Sequence, residues 1–244
     1  MKNFVIITGS NGGIGRSLVT EFKKAGFHTI GIDQQHSENA DINITCDLFE
    51  LVNNKEVEMH LYAQIIEVLN GNLLKILINN AAVQILDDIE HIELSDFKKT
   101  MDVNLNAPFL LAKLFFQQLK NSRGSIINIG SIHANQTKPK FIAYATSKAA
   151  LKGLTQAMAI DFGRHIRVNI IQPAAISTEM LVDGFKDNPE GLKQLKSFHP
   201  SGFIGKPEDV SMLALFLSKD ESQFINGASI DIDGGIRSRL YDPD

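Results

Sequence analysis

A short apolar run, a cluster of glycines and an amphipathic pattern follow one another within the first 25 residues, and this order restricts the fold more than any other feature. The run Phe4–Ile7 is rich in β-branched residues and too short for a helix, which is typical of a buried strand. Four glycines lie between positions 9 and 15, and apolar residues then recur at helical spacing at Leu18, Val19, Phe22 and Ala25. The pattern predicts a strand, a glycine turn and a helix in direct succession.

Strand-like runs alternate with helical stretches along the rest of the chain, without Pro-, Gly- or Ser-rich linkers. The strand-like runs lie near 4–8, 28–32, 42–46, 74–79, 125–130, 166–171 and 228–232. The later helical stretches lie at about 50–70, 96–120, 143–163 and 207–218. This alternation predicts one α/β domain over residues 1–244, with a Rossmann-like, doubly wound, seven-stranded parallel sheet and helices on both faces.

The composition is that of an ordinary globular domain. The chain has 244 residues, of which 43% are hydrophobic and 21% charged, which is enough for a sizeable core. A net charge of −4 without a basic block argues against nucleic acid or an anionic membrane as a partner. Cys46 is the only cysteine, so no internal disulfide is possible. The apolar stretch before Gly9 is too short for a secretion signal, and no run reaches membrane length, so we expect a cytoplasmic protein.

The glycine turn and the residue that ends the second strand-like run together suit a dinucleotide. Backbone amides and the positive end of a helix can face a pyrophosphate, and missing side chains let it approach. Asp33 ends the second run, about 20 residues beyond the turn, where an acidic side chain can accept hydrogen bonds from both hydroxyls of an adenosine ribose. An aspartate that caps a turn would give the same pattern.

Tyr144 and Lys148 lie one helical turn apart and share a face of the predicted helix. A free tyrosine has a pKa near ~10, and lowering it to about 7 requires roughly 4 kcal/mol of preference for the phenolate. A cation about 4 Å away supplies an interaction of that size at an effective dielectric constant of roughly 20. The pair predicts a tyrosine that works as an acid and base. The spacing alone also fits a surface lysine beside a packed tyrosine.

Several motifs occur in an order that resembles the classical short-chain dehydrogenase/reductase family. They are Thr8-Gly9 with Gly13 and Gly15, then Asn79–Ala82, Asn104, Ser131, Tyr144 with Lys148, and Pro173–Thr178. The resemblance runs from about residue 3 to about residue 236. It implies an NAD-dependent oxidoreductase that interconverts a small secondary alcohol and its ketone by hydride transfer, with no metal.

The resemblance implies a catalytic set of Asn104, Ser131, Tyr144 and Lys148. Tyr144 would exchange a proton with the substrate oxygen, and Lys148 would lower the pKa of the tyrosine and bind the nicotinamide ribose. Ser131 would hold the substrate oxygen as a neutral donor. Asn104 would organise a water that leads from the lysine to solvent; an asparagine that only bonds local backbone is the alternative.

The resemblance also assigns cofactor contacts. The pyrophosphate falls to Gly9, Asn11, Gly12, Gly13, Ile14 and Gly15, the adenosine ribose to Asp33, the adenine to Asp47 and Leu48, the space behind the cofactor to Asn80, and the carboxamide region to Ile176 and Thr178, beside Tyr144 and Lys148. The segment 178–205 then follows, either as an amphipathic lid over the substrate or as a surface helix.

Substrate contacts fall to Gln84 and His133, beside Ser131 and Tyr144. In hydroxybutyrate dehydrogenases of the family the positions of Gln84 and His133 help to bind a small carboxylate. The lysine that those relatives place three residues before the tyrosine is here Phe141. Gln84 and His133 could equally be loop residues that bond the backbone.

Three positions depart from the family pattern. Ala82 and Ala174 stand where glycine is usual, so each adds a methyl group near the nicotinamide and requires a backbone angle that alanine tolerates. Phe203 stands where arginine is common, and nothing in the sequence explains this change. The two alanines change the expected dimensions of the pocket more than cofactor binding itself.

The stretch Pro108–Phe116 is apolar nearly all round, although a surface helix needs only one apolar stripe. A second apolar face predicts burial against another subunit, and we expect a homotetramer. A helix wedged between sheet and loop in a monomer is the alternative.

Two other functions fit the same pattern. An NADPH-dependent 3-oxoacyl-carrier-protein reductase would favour a neutral or basic residue over Asp33 and a basic docking patch. A catalytically inactive nucleotide-binding sensor or scaffold would keep the fold and lack one member of the catalytic set. All four members are present here.

Overall fold

The computed structural model describes residues 1–240 and contains one sheet of seven parallel strands. The strands are β1 (Asn3–Thr8), β2 (His28–Asp33), β3 (Ile42–Thr45), β4 (Leu73–Asn79), β5 (Ser125–Ile129), β6 (Arg167–Pro173) and β7 (Ser229–Ile232). They are ordered β3-β2-β1-β4-β5-β6-β7. All seven predicted strands and the doubly wound Rossmann-like sheet are confirmed.

Ten α-helices lie among the described residues. They are α1 (Gly13–Lys24), α2 (Leu48–Asn53), α3 (Lys55–Leu69), α4 (Leu94–Met101), α5 (Ala107–Leu114), α6 (Phe116–Ser122), α7 (Ile142–Phe162), α8 (Glu179–Asp183), α9 (Pro189–Phe198) and α10 (Pro207–Ser218). A π-helical segment spans Asp102–Asn106, and 3₁₀ turns span Ile132–Ala134, Asp220–Ser222 and Ile236–Ser238. No helix within residues 1–240 combines the length and apolarity needed to span a membrane.

Successive residues of β1 pack into different cores because side chains of a strand point alternately to its two faces. Val5 and Ile7 join the core that includes side chains of α1 and α10. Phe4 and Ile6 join the core that includes side chains of α3 and α5. All four are buried, which explains why β1 is apolar without alternation.

The predicted helix over 96–120 is divided, and Pro108 supplies the physical reason. Proline has no N–H, so the carbonyl of Asn104 cannot accept the usual α-helical hydrogen bond from the residue four positions later. The chain instead forms the π-helical segment, in which the N–H of Ala107 reaches the carbonyl of Asp102. The predicted helix over 50–70 is also divided, at Asn54, whose side chain accepts a hydrogen bond from the N–H of Glu56 and caps α3.

The strand order reverses direction at β1, which pairs with β2 on one side and β4 on the other. Ligands of doubly wound sheets bind in the crevice beyond the carboxyl ends of strands at such a reversal. The crevice here lies beyond Thr8 and Asn79, the last residues of β1 and β4.

Candidate active site

The glycine turn between β1 and α1 is too tightly folded for side chains. Gly9 has a φ of +64°, and a Cβ at this position would lie 2.8 Å from the Cα of Ala81. A Cβ on Gly15 would collide with the carbonyl of Gly9, and one on Gly13 would lie 2.8 Å from the methyl group of Thr178. Gly12 precedes α1 and offers no side-chain cap, so the first N–H groups of this helix face the crevice unshielded. This is a cradle for an anionic group, and it fits a dinucleotide pyrophosphate.

Asn80 and Thr8 fasten the glycine turn to the end of β4. The Asn80 side-chain amide donates to the carbonyls of Thr8 and Gly9, each at 3.0 Å. The Thr8 hydroxyl accepts from the backbone N–H groups of Asn80 and Ala81, also at 3.0 Å. The family resemblance assigned Asn80 to the space behind the cofactor. It did not predict these hydrogen bonds, and the only hint of them in the sequence is that Thr8 ends a strand.

Asp33 lies at the end of β2 with its carboxylate turned toward the glycine turn. Its Oδ2 accepts from the backbone N–H of Asn11 at 3.0 Å, and its Oδ1 accepts from that of Gln35 at 3.2 Å. A carboxylate offers about four lone-pair sites, so acceptor capacity remains for a ligand. The turn-capping alternative and the ribose-binding role are therefore compatible in this side chain.

The remaining residues predicted to bind the cofactor lie in different environments, and some of them are buried. Asp47 caps α2, since its Oδ1 accepts from the N–H of Phe49 at 2.8 Å. Leu48 and Ile176 are buried in the core. Thr178 follows β6 and lies so close to the glycine turn that a Cβ on Gly13 would be 2.8 Å from its methyl group. The roles of these residues toward adenine and carboxamide stay predictions.

The catalytic side chains predicted from sequence meet beyond the end of β5. Ser131 follows the strand by two residues and is buried, and its side chain lies close to that of Tyr144 on α7. Lys148 is only 2% exposed, and its ammonium donates to the carbonyl of Ile129 at 2.8 Å. The same ammonium lies 5.6 Å from the centroid of the Tyr144 ring. Three chemically active groups from two elements thus share one site.

The expected lowering of the Tyr144 pKa by Lys148 is not found in this structure. Burial raises the pKa of Tyr144, and the nearby Ser131 side chain opposes that rise. The carbonyl of Ile129 binds the ammonium, which lies 5.6 Å from the centroid of the Tyr144 ring. Burial also lowers the pKa of Lys148 to about 8. The tyrosine is therefore held in its protonated form in the free protein.

Asn104 lies in the π-helical segment and uses both ends of its side-chain amide. Its Oδ1 accepts from the N–H of Val83 at 2.8 Å, and its Nδ2 donates to the carbonyl of Val83 at 2.9 Å and to the hydroxyl of Ser147 at 3.0 Å. Ser147 in turn donates to the carbonyl of Tyr144 at 2.7 Å. Asn104 thus bonds backbone, as its alternative role supposed, and also connects to the helix that carries the tyrosine. The sequence gave no indication of Ser147.

His133 and Phe141 form an aromatic wall beside Tyr144. Their rings stack with centroids 4.3 Å apart, and both meet the Tyr144 ring edge-on, at 5.9 and 6.1 Å. The ammonium of Lys138 lies 4.8 Å from the centroid of Phe141. Phe141, which replaces a lysine expected from hydroxybutyrate dehydrogenases, thus lines the site as an apolar surface. Gln84 is exposed in a loop.

Burial lowers the pKa of His133 to about 4, with a smaller contribution from the nearby Lys138 charge. We therefore expect the imidazole of His133 to stay neutral between about pH 5 and 8. The hydrogen bond with Asp88 raises the pKa of the exposed His91, which supplies an internal reference. Proton NMR of the histidine rings, assigned with His133→Gln and His91→Gln, should show that the His133 signal does not titrate in this range.

The lowered pKa of His133 also determines how the stability of the fold depends on pH. The unfolded chain binds the His133 proton more strongly, so folding loses stability as the pH falls from about 6.5 toward 4. His133→Gln should flatten the acid limb of the stability profile in this window. A His133 signal that titrates near pH 6.5 would contradict the neutral wall.

Asp87, Asp88 and His91 place one ligand atom each within 4.8 Å of one another on a surface loop. His91 is joined to Asp88 by a 2.6 Å contact between its Nδ1 and Oδ1.

Neither of the alanines that replace family glycines sits in a strained conformation. Among residues 1–240, the non-glycine residues with positive φ are Asn70, Arg123 and Lys140. Ala82 and Ala174 therefore adopt ordinary backbone angles, and their methyl groups are accommodated.

The site combines a glycine cradle at a sheet reversal with an acidic residue at the end of β2. A serine, a tyrosine and a lysine lie beyond β5, and this arrangement is a candidate site for a dinucleotide-dependent oxidoreductase. The family model described as enoyl-(acyl carrier protein) reductase matches residues 9–237, and the chain belongs to the short-chain dehydrogenase/reductase family. The family's dehydrogenases use nicotinamide cofactors.

Three relatives illustrate the likeness. Glucose 1-dehydrogenase 2 of Bacillus subtilis is 30% identical over 95% of this chain and 93% of its own. 4-Hydroxyisoleucine dehydrogenase complexed with NADH is 32% identical with a TM-score of 0.88, covering 98% of this chain and 100% of that one. ElxO with NADP bound is 27% identical with a TM-score of 0.87, covering 98% of this chain and 100% of that one.

Proposed function

We propose that the protein oxidises a small secondary alcohol to its ketone, or catalyses the reverse reduction, with NAD as cofactor. The observation that carries this proposal is that Ser131, Tyr144 and the buried Lys148 meet at the same carboxyl edge of the parallel sheet as the glycine cradle. Hydride transfer to or from an alcohol carbon requires a group for proton transfer and a dinucleotide at one site, and this edge offers both. Glucose 1-dehydrogenase 2 and 4-hydroxyisoleucine dehydrogenase, by their names, act on hydroxylated small molecules.

The residues of the chain divide the work. The hydroxyls of Ser131 and Tyr144 hydrogen-bond the substrate oxygen, and Tyr144 takes the alcohol proton during oxidation or returns it during reduction. The Lys148 ammonium stabilises the phenolate that forms, and Asn104 helps to pass the proton onward through water to solvent. The bound nicotinamide accepts or supplies the hydride.

The cofactor residues follow the sequence assignment. The N–H groups at the start of α1 bind the pyrophosphate, Asp33 accepts hydrogen bonds from the adenosine ribose, and Asp47 and Leu48 border the adenine. Ile176 and Thr178 border the carboxamide. Gln84, His133 and the aromatic wall border the substrate, and the segment 178–205, with α8 and α9, acts as the lid.

Two alternatives lack comparable support. A carrier-protein reductase that uses NADPH would have to place a phosphate beside the Asp33 carboxylate. An inactive sensor would not need a serine and a tyrosine close together next to a buried lysine. Because the matching family model is described as an enoyl-(acyl carrier protein) reductase, the test below also includes the carrier-protein reductase.

The test is a substrate screen. Polyols, hydroxy acids, cyclic alcohols and hydroxysteroids are offered with NAD and with NADP, and the reduced nicotinamide is followed by its near-ultraviolet absorbance. Saturable turnover of one alcohol class with NAD supports the proposal. Turnover of oxoacyl thioesters with NADPH alone would instead support the carrier-protein reductase.

We also propose a homotetramer, because large apolar side chains remain exposed on separate helices. Phe109 on α5 and Ile160 on α7 are 49% and 81% exposed, and Met212 on α10 is 55% exposed. Light scattering at micromolar concentration should give about 108 kDa, four times the 26.9 kDa of one chain. A 26.9 kDa species would show that these faces do not join subunits.

A further inference from the structure

Asn104 and Ser147 form a buried polar bridge between the π-helical segment and α7. Asn104 is 1% exposed and Ser147 is fully buried, so a hydrogen-bond partner that either side chain loses is not simply replaced by bulk water. Nδ2 of Asn104 donates to the Ser147 hydroxyl at 3.0 Å, and this hydroxyl donates to the backbone carbonyl of Tyr144 at 2.7 Å. The bridge therefore ends on the backbone of the residue assigned to proton transfer.

The bridge also reaches the loop after β4, which is fastened to the glycine turn. Asn104 accepts from the N–H of Val83 at 2.8 Å and donates to the carbonyl of Val83 at 2.9 Å, so Val83 and Ser147 together take both hydrogens of its amide. The N–H of Ala81, two residues earlier, donates at 3.0 Å to the hydroxyl of Thr8, which directly precedes the turn. The contacts thus connect the base of the glycine turn, through the loop after β4, to α7.

We propose that Ser147 is a positioning residue, whose hydroxyl lets the Asn104 amide fix the Tyr144 backbone relative to the loop after β4 and the glycine turn. The proposal rests on the proposed function, because it takes Tyr144 as the group that transfers the proton. That transfer requires hydrogen-bond reach between the tyrosine and the substrate oxygen. A misplacement of about 1 Å can lower a rate by roughly 100-fold, so a small shift of the start of α7 has a measurable consequence.

Ser147→Ala tests the proposal, because it removes the hydroxyl and leaves a residue that favours the helix. On a verified substrate kcat should fall by about tenfold or more, while KM changes by less than about threefold, since the tyrosine is displaced and the binding surfaces remain. Ser147→Cys supplies a weak donor and acceptor in place of the hydroxyl and should recover part of the loss. A kcat of Ser147→Ala within about threefold of the unmodified protein overturns the proposal.

Thr155 offers a matched control on the same helix, about two turns farther along. It is also fully buried, and its hydroxyl donates to the carbonyl of Leu151 at 2.8 Å and accepts from Nδ2 of Asn128 at 2.8 Å. Thr155→Val removes this hydroxyl and keeps the branched shape. Both variants should lower Tm, but only Ser147→Ala should lower kcat. An equal loss of kcat in the two variants would show a general effect on helix packing and overturn the proposal.

A double-mutant cycle tests whether Asn104 and Ser147 act through one bridge. In the Asn104→Ala background, Ser147→Ala should cost little further kcat, because the bridge is already broken. Losses of kcat that multiply independently would overturn the proposal.

NMR of the tyrosine rings gives a readout that needs no substrate, with the Tyr144 signal assigned from Tyr144→Phe. This signal should move in Ser147→Ala and keep its position in Thr155→Val. An unmoved signal in Ser147→Ala overturns the positioning role, whether or not a substrate has been found. Absence of alcohol turnover in the unmodified protein would instead count against the proposed function, so the two failures are distinguishable.

Discussion

Tyr144→Phe should abolish turnover while leaving cofactor affinity within about tenfold of the unmodified protein. The substitution removes only the hydroxyl that exchanges a proton with the substrate, and general acid–base catalysis contributes roughly 10²–10⁴ in rate. The ring itself remains, so its edge contacts with His133 and Phe141 persist and the aromatic wall keeps its shape. The measurements are steady-state turnover on a verified substrate and cofactor titration by fluorescence.

Tyr62→Phe is the matched control, because Tyr62 is partly exposed and its hydroxyl makes none of the contacts described for the site; it accepts a hydrogen bond from Gln118 at 3.3 Å. It should retain full activity. Lys148→Ala should lower both turnover and cofactor affinity, since the lysine serves the phenolate and the nicotinamide ribose. More than a few per cent of wild-type activity in Tyr144→Phe would show that another group transfers the proton.

A second large effect is expected in cofactor choice, with NAD preferred over NADP by a hundredfold or more. The extra phosphate of NADP would approach the Asp33 carboxylate, and two like unit charges about 4 Å apart repel by ~4 kcal/mol at an effective dielectric constant of roughly 20. Arg16 directly follows Gly15, the last glycine of the turn, and is the cation nearest to the turn in sequence. Its guanidinium is already bound, since it donates to the carbonyl of Asn11 at 2.7 Å and to Glu179 at 2.8 Å. The residue after Asp33 is Gln34, which brings no charge to bind a phosphate.

Asp33→Ala should weaken NAD binding and remove the repulsion between the carboxylate and the extra phosphate of NADP. The ratio of kcat/KM with NAD to kcat/KM with NADP should therefore fall toward one or below it. Asp33→Asn separates the two causes, because it removes the charge while an amide oxygen can still accept the Asn11 N–H. Comparable kcat/KM for both cofactors in the unmodified protein would show that Asp33 does not face the ribose. The carrier-protein reductase would then become the preferred function.

The fold was predictable because its signals are local. β1 is a largely β-branched apolar run that the glycine turn follows directly, and β4 is a run of leucines and isoleucines interrupted by Lys75. The break near Asn104 was missed because a helical spacing of apolar residues continues across it. The missing N–H of Pro108 was visible in the sequence and would have located it.

The sequence predicted which residues lie at the site better than it predicted their interactions and pKa values. The sequence identified Tyr144 and Lys148 as a pair, but it could not show that the carbonyl of Ile129 holds the ammonium beside the ring. The direction of the Tyr144 pKa depends on burial, which no local spacing reports. The aromatic wall of His133 and Phe141 likewise depends on how two loops meet in space.

The four hydrogen bonds between Asn80, Thr8 and the glycine turn imply that the crevice exists before a dinucleotide arrives. A loop that had to order itself on binding would lose conformational entropy of about 1–2 kcal/mol per residue, and this loss would subtract from affinity. In this protein the glycine turn is already ordered by folding, so binding does not incur that entropy loss again. The dinucleotide should accordingly bind as a rigid-body encounter, with an association rate set by diffusion and orientation rather than by rearrangement of the turn.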